Sequence, residues 1–380
     1  MIDLSPEGEL GFQKIGTVKT EAGADIADVT IAYQRWGEFK GDPHGENNVI
    51  LVEHALTGDS DAATWWAGLV GPGLALDTDT WCVICTNVLG GCSGSTGPAS
   101  PHPDGGVWGS RFPATSIRDQ VHAEFEFLLS LGLSKIHAVL GGSMGGARSL
   151  EWAVSLPEVV GYACVIAVSA RSSAWQIGIQ SAQISAIERD PNWADGDYYD
   201  TGAQPEAGLA AARRIAHLTY RGEQEIDERF GTTPQAGENP LGPFRSDKQR
   251  FAVQSYLDYQ GDKLVERFDA GSYVALTDAL NRHDIGRGRG GLNKALASSL
   301  VPTMVVGVDT DILYPYHQQE HLSRNLGNLL AMSKVVSPVG HDAFLVETRQ
   351  MDRILRNFLT LTQQFPSSTA LAEDLGLYEI

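Results

Sequence analysis

Cysteine is scarce, with four in 380 residues, at Cys82, Cys85, Cys92 and Cys164. So few in a chain of this length exclude a disulfide framework, and a reducing cytoplasm is the expected setting. Cys82 and Cys85 have the spacing of a redox pair, but WCVIC is an apolar, β-branched stretch that predicts a buried strand. Basic residues are also short: 28 Lys and Arg face 47 Asp and Glu, a formal net charge of −19. Such a field repels phosphate backbones, which argues against nucleic-acid binding and leaves any anionic ligand dependent on a local basic pocket. Long apolar runs are missing too. The longest nearly unbroken one, Val159 to Val168, is about half of the roughly 20 residues that span a bilayer, so no membrane partner is expected. Met1 to Leu10 has neither a basic start nor an apolar core, and no signal peptide is expected there.

Hydrophobic residues make up 42% and charged residues 20%, the composition of a globular chain long enough for one large domain with an insertion, or two domains. The 42 glycines cluster where apolar, strand-like runs end. Val29 to Gly37, Asn47 to Gly58, Thr80 to Gly91, Lys135 to Gly146 and Pro302 to Asp311 each run from a strand signal to a turn signal. Helical spacing separates several of them, as in Ile117 to Leu131, Ala147 to Leu156 and Thr348 to Leu361. Strand and helix alternate, so the predicted class is α/β with a mostly parallel central sheet. From 172 to 299 the alternation stops and helical stretches such as Gly208 to Tyr220 and Gln249 to Phe268 take over. The division expected is a core of residues 1–171 and 300–380 with a helical cap inserted at 172–299. Gly286 to Gly291, GRGRGG, is one short loop in an acidic chain rather than an RNA-binding tract, and the residues after Gln364 are expected as a loose tail.

Gly141-Gly142-Ser143-Met144-Gly145 fits G-x-S-x-G between a predicted strand, Ile136 to Leu140, and a helix expected from near Ala147. In that context small residues permit a strained turn that exposes a serine hydroxyl at a helix N-terminus. A glycine-rich turn of this kind also suits a bound phosphate, but the Lys-Ser/Thr ending of a P-loop is missing. A serine nucleophile needs a base, itself oriented by a third group. His341 lies after the short strand predicted at Lys334 to Val336, and Asp309 and Asp311 follow the strand ending near Val308. Ser143, an aspartate and His341 then stand in the chain order of this type of site, and spacing alone does not choose between the aspartates. An acyl-transfer site also needs oxyanion donors: Met144 N–H after the nucleophile, and an amide within His54 to Gly58. His54 itself precedes the serine and is expected to shape that loop.

The chain resembles the homoserine O-acyltransferases of the α/β-hydrolase superfamily, a family of methionine biosynthesis, from about Leu10 to Leu361. The likeness rests on HALTG at 54–58, NVLGGCSGSTGP at 87–98, RFPATSIRDQV at 111–121, GGSMGG at 141–146, ARRIAHLTYRG at 212–222, DTDILYP at 309–315 and GHDAFL at 340–345. The resemblance implies an α/β-hydrolase fold, Ser143 as nucleophile, His341 as general base and Asp311 as its orienting carboxylate, with Leu56 and Met144 as oxyanion donors. It also implies Arg213 on the homoserine carboxylate, Asp342 on its amino group and Tyr220 near the substrate; Arg214 is adjacent, so the Arg213 assignment depends on the register of the motif. The implied activity is acetyl transfer from acetyl-CoA to L-homoserine by a homodimer; no His, Cys or carboxylate cluster has ligand spacing, so no metal or tightly bound cofactor is expected. Succinyl-CoA as donor, or water as acceptor in an esterase, are the alternatives.

Overall fold

The computed structural model describes residue 2, residues 4–243 and residues 248–368. Eight strands form one sheet: β1 (Gly11–Lys19), β2 (Asp25–Trp36), β3 (Val49–Glu53), β4 (Cys82–Thr86), β5 (Ile136–Gly142), β6 (Val160–Ile166), β7 (Thr303–Val308) and β8 (Leu329–Val335). The order across it is β1-β2-β4-β3-β5-β6-β7-β8. β1 pairs antiparallel with β2, and β2 antiparallel with β4; every other pairing is parallel. β3, β4, β6 and β7 are buried at every position, as their continuous apolar runs require when helices cover both sheet faces.

The helices in chain order are α1 (Ala62–Trp65), α2 (Ile117–Ser130), α3 (Met144–Ser155), α4 (Ala174–Glu188), α5 (Glu206–Tyr220), α6 (Glu223–Phe230), α7 (Ala252–Val265), α8 (Ala270–Asn281), α9 (Leu292–Ala297), α10 (Tyr316–Asn325), α11 (Ala343–Val346) and α12 (Thr348–Thr362). Ser116 starts α2 with a capping box: its hydroxyl accepts from Asp119 N–H, and the Asp119 carboxylate accepts from Ser116 N–H. α4 to α9 fill the interval between β6 and β7 with no named strand among the described residues. Their apolar side chains, including Leu209, Ala212, Leu264 and Tyr273, share a core with Met144, Ala147 and Leu150 of α3. The helical segment is thereby seated on the helix that begins at the candidate nucleophile.

The chain passes from β3 outward to β4, then returns to place β5 on the other side of β3. At such a reversal the loops leaving the two strands diverge and open a crevice. β3 and β5 are in register at Glu53 and Gly141, so His54–Gly58 and Ser143 emerge side by side. β7 and β8 pair in parallel up to Val308 and Val335, which brings the loops holding Asp311 and His341 together on the same edge.

The structure corrects some sequence expectations. α3 begins at Met144, directly after the serine, rather than near Ala147. β1 is a strand that the sequence reading did not anticipate, and β8 starts at Leu329, five residues before its predicted beginning. The first residues after Gln364 are not loose: Tyr162 donates to Phe365 O at 2.5 Å, and buried Ser368 donates to Val160 O at 2.5 Å. The rest of that expected tail, 369–380, lies outside the described residues. The GRGRGG loop uses its cations internally, Arg287 pairing with Glu21 at 2.7 Å and Arg289 with Glu151 at 2.5 Å. All four cysteines are free; burial pushes the Cys82 thiol up to about 12 and raises those of Cys85 and Cys164, which removes the thiolate a redox pair would need.

Candidate active site

Ser143 sits at φ 58° and ψ −121°, a conformation that L residues rarely hold and that costs on the order of 1–3 kcal/mol. Its neighbours enforce it. Ser143 N–H donates to Ile166 O at 3.0 Å. A Cβ on Gly142 would lie 2.4 Å from the Phe344 ring, and one on Gly145 only 2.0 Å from Glu53 O. The glycines of GGSMGG therefore let α3 wedge against β3 and β5, and the turn pushes the serine into the crevice.

His341 Nδ1 and Asp311 Oδ2 are 2.6 Å apart, both side chains essentially excluded from solvent. The other Asp311 oxygen accepts from Leu313 N–H and Tyr314 N–H, each at 2.8 Å, so backbone donors fix the carboxylate. Asp309 instead accepts from Ser337 N–H at 3.0 Å and braces the loop beneath His341. The geometry thus separates the two aspartates that spacing left equivalent. Tyr314, Tyr220 and Phe344 surround the imidazole, with ring centroids 5.4, 5.9 and 5.6 Å away. Burial depresses the imidazole pKa, but Asp311 more than offsets it and holds the group above the ordinary histidine value. His341 Nε2 is buried with no hydrogen-bond partner.

A cavity of about 190 Å³ joins Ser143 and His341 to Leu56, Arg213, Tyr220 and Asp342. That is below the roughly 300–1,000 Å³ of drug-sized ligand sites and suits a small acceptor. Leu56 N–H makes no hydrogen bond among the described residues. Met144 N–H opens α3, where the first amides have no intrahelical partner. The guanidinium of Arg213 lies 5.2 Å from the centre of the Tyr220 ring, with its Nε buried and unpartnered. Arg214 instead pairs with Asp258, and of the two neighbouring arginines Arg213 is the one that lines the cavity. Burial raises the Asp342 carboxyl pKa, opposed by His341, Arg213 and Arg221.

Sequence reasoning missed three parts of this site. Arg267, between α7 and α8, lines the same cavity and donates to Thr57 O at 2.7 Å. Trp65 and Phe344 complete the apolar wall. Behind the nucleophile, fully buried Arg148 of α3 meets Glu53 at 2.6 Å and Glu124 at 2.5 Å. The available signal was slight: an arginine in the helix after the elbow, on the face that the small residues press into the sheet. His54 is confirmed as a loop-shaping residue, its Nδ1 donating to Ala55 O and its Nε2 accepting from Val88 N–H. Burial and Arg148 lower its pKa to about 3, which keeps it neutral.

The alpha/beta hydrolase fold family model matches residues 48–348. The homoserine O-acetyltransferase of Corynebacterium efficiens is 74% identical over 361 residues, covering 95% of this chain and 96% of the relative. Among solved structures, the homoserine O-acetyltransferase of Bacillus anthracis superposes with a TM-score of 0.83 at 25% identity, over 92% of this chain and 97% of that one. Esterase E22 superposes with a TM-score of 0.84 at 26% identity, over 92% and 99%.

Proposed function

We propose, for a chain that belongs to the homoserine O-acetyltransferases of the α/β-hydrolase superfamily, acetyl transfer from acetyl-CoA to L-homoserine through a covalent acetyl-Ser143. The observation that carries this reading is the Asp311–His341 contact of 2.6 Å, made by a histidine whose Nε2 has no partner and which lines one cavity with Ser143 and Arg213. His341 Nε2 takes the Ser143 proton as Oγ attacks the thioester carbonyl, and the oxyanion is held by Leu56 and Met144 N–H. The C–S bond breaks, the CoA sulfur leaves with the proton from His341, and the acetyl group stays on Ser143. The homoserine hydroxyl then gives its proton to His341 and attacks the acetyl carbonyl. Collapse releases O-acetyl-L-homoserine and returns the proton to Ser143.

Arg213 is suited to the homoserine carboxylate, since its guanidinium has no carboxylate partner among the described residues. Asp342 and Tyr220 close the same end of the cavity and suit the amino group and the backbone of the acceptor. We read 172–299 as a lid that limits water attack on the acetyl-enzyme. The reading carries with it a cytoplasmic setting, in keeping with four free cysteines, and a homodimer, in keeping with apolar Trp175, Ile177, Leu218 and Tyr259 exposed on α4, α5 and α7. Among the described residues no helix is long and apolar enough to cross a membrane.

The likeness to esterase E22 gives a hydrolase as the second reading. CoA thiol release from acetyl-CoA, with and without L-homoserine and with succinyl-CoA in parallel, separates them. Homoserine-dependent release from acetyl-CoA with O-acetylhomoserine formed supports the transferase; homoserine-independent release supports the hydrolase, and preference for succinyl-CoA moves the donor.

A further inference from the structure

The loop between β3 and α1 carries Leu56, and its carbonyls are held from two sides. From below, Arg148 Nη2 donates to His54 O at 2.8 Å. From the cap, Arg267 Nη1 donates to Thr57 O at 2.7 Å. Between them Ala55 O accepts both from His54 Nδ1 at 2.7 Å and from Gly58 N–H at 2.9 Å. These carbonyls are thereby fixed on both sides of Leu56, which lines the cavity and whose N–H makes no hydrogen bond among the described residues.

Arg148 is itself rigidly held. Its Nη1 meets Glu53 Oε2 at 2.6 Å and Glu124 Oε1 at 2.5 Å, and all three side chains have no exposed surface. Trp152 Nε1 reaches Glu53 Oε1 at 3.1 Å and Glu124 Oε2 at 3.2 Å, while the Thr86 hydroxyl donates to Glu124 at 3.0 Å. Two carboxylates on one guanidinium leave an excess negative charge that such a site tolerates poorly. Burial, opposed by Arg148 and reinforced by Glu124, pushes the Glu53 carboxyl well up, which eases the cost of holding two carboxyl groups on one guanidinium. Arg148 stands on the helix whose first residue, Met144, supplies the other oxyanion donor. A single rigid helix thus spans from one donor to the clamp on the other.

We propose that Arg148 and Arg267 are positioning residues, which grip the His54 and Thr57 carbonyls and thereby set the Leu56 N–H against the Met144 N–H. The assignment rests on Leu56 being an oxyanion donor. It makes the rate of both half-reactions sensitive to two arginines, one in the core and one in the cap, and it couples seating of the cap to the chemistry.

The test compares Arg267→Met, which loses the donor, with Arg267→Lys, which keeps one, alongside Glu124→Gln and Arg148→Lys in the core. Arg267→Met leaves the buried cluster untouched, so a folding failure of the core variants does not remove the test. Acetyl-enzyme formation and its discharge by homoserine should both slow about ten- to a hundredfold in Arg267→Met, with homoserine KM unchanged and most of the rate restored by lysine. In enzyme carrying ¹⁵N-leucine and phosphonylated on Ser143 by a fluorophosphonate, the Leu56 amide should shift downfield, and less so in Arg267→Met. Unchanged rates with a full Leu56 shift overturn the positioning role alone, as does a loss confined to homoserine KM. A Leu56 amide indifferent to the adduct in the unsubstituted enzyme overturns the oxyanion reading, and the clamp with it.

Discussion

Asp311 Oδ2 lies 2.6 Å from His341 Nδ1, and the same carboxylate is anchored through its other oxygen by Leu313 and Tyr314 N–H at 2.8 Å. The imidazole tautomer follows: Nδ1 carries the proton toward Asp311, and Nε2 is left unprotonated, as the proposed base requires. Asp309 makes no such contact and holds Ser337 N–H instead.

Asp311→Asn should therefore lower kcat on the order of 10³- to 10⁴-fold, while Asp309→Asn affects it far less. Rapid-mix measurement of CoA release from acetyl-CoA by both variants checks this, and equal losses would contradict it.

The pH profile follows from the same pair. The proposed mechanism needs neutral His341, so kcat/KM for acetyl-CoA should rise with pH through the histidine pKa, which Asp311 holds above the ordinary 6.5 against the effect of burial. Replacing Asp311 with Asn leaves burial opposed by Asp342 alone, and the midpoint of the residual activity should move to lower pH. A midpoint that stays put or rises would show that the carboxylate does not set the imidazole pKa.

Arg213 and Arg214 are neighbours in sequence with opposite fates. Arg213→Ala should reduce kcat/KM for homoserine roughly ten- to a hundredfold, the loss of a charge-assisted contact, with acetyl-enzyme formation preserved. Arg214 pairs with Asp258 on a part-exposed face, and Arg214→Ala should change homoserine use little. Steady-state kinetics with varied homoserine decides between them.

The elbow should tolerate no added methyl group. At Gly145 a Cβ would meet Glu53 O at 2.0 Å, so Gly145→Ala should destabilise by about 1–3 kcal/mol or more and displace Ser143. Urea unfolding and acetylation rate together check this; unchanged stability and rate would mean that α3 can retreat from β3.

Much of the site was legible because its chemistry is local. GGSMGG marks itself by small residues between a strand and a helix, and Asp311 and His341 each follow an apolar strand. The choice of Asp311 over Asp309 was not legible from spacing, because both leave the same strand and only the side-chain directions separate them. Arg213 and Arg214 posed the same difficulty on one helix. Arg267 carried no local signal at all: it becomes part of the site because the link between α7 and α8 meets Thr57, more than 200 residues earlier in the chain. Arg148, Glu53 and Glu124 come from a helix, a strand end and a second helix, and a charged residue in a sequence does not announce burial. β1 escaped notice because its residues are largely exposed and lack the apolar run of the central strands.

The central claim is an acetyl group carried by Ser143 between donor and acceptor. Intact-protein mass analysis after brief mixing with acetyl-CoA in the absence of homoserine tests it directly. The enzyme should gain one acetyl group that maps to Ser143, lose it on addition of L-homoserine with O-acetyl-L-homoserine appearing, and gain none in Ser143→Ala. Homoserine acetylation persisting in Ser143→Ala, or an acetyl group mapped elsewhere, would contradict it.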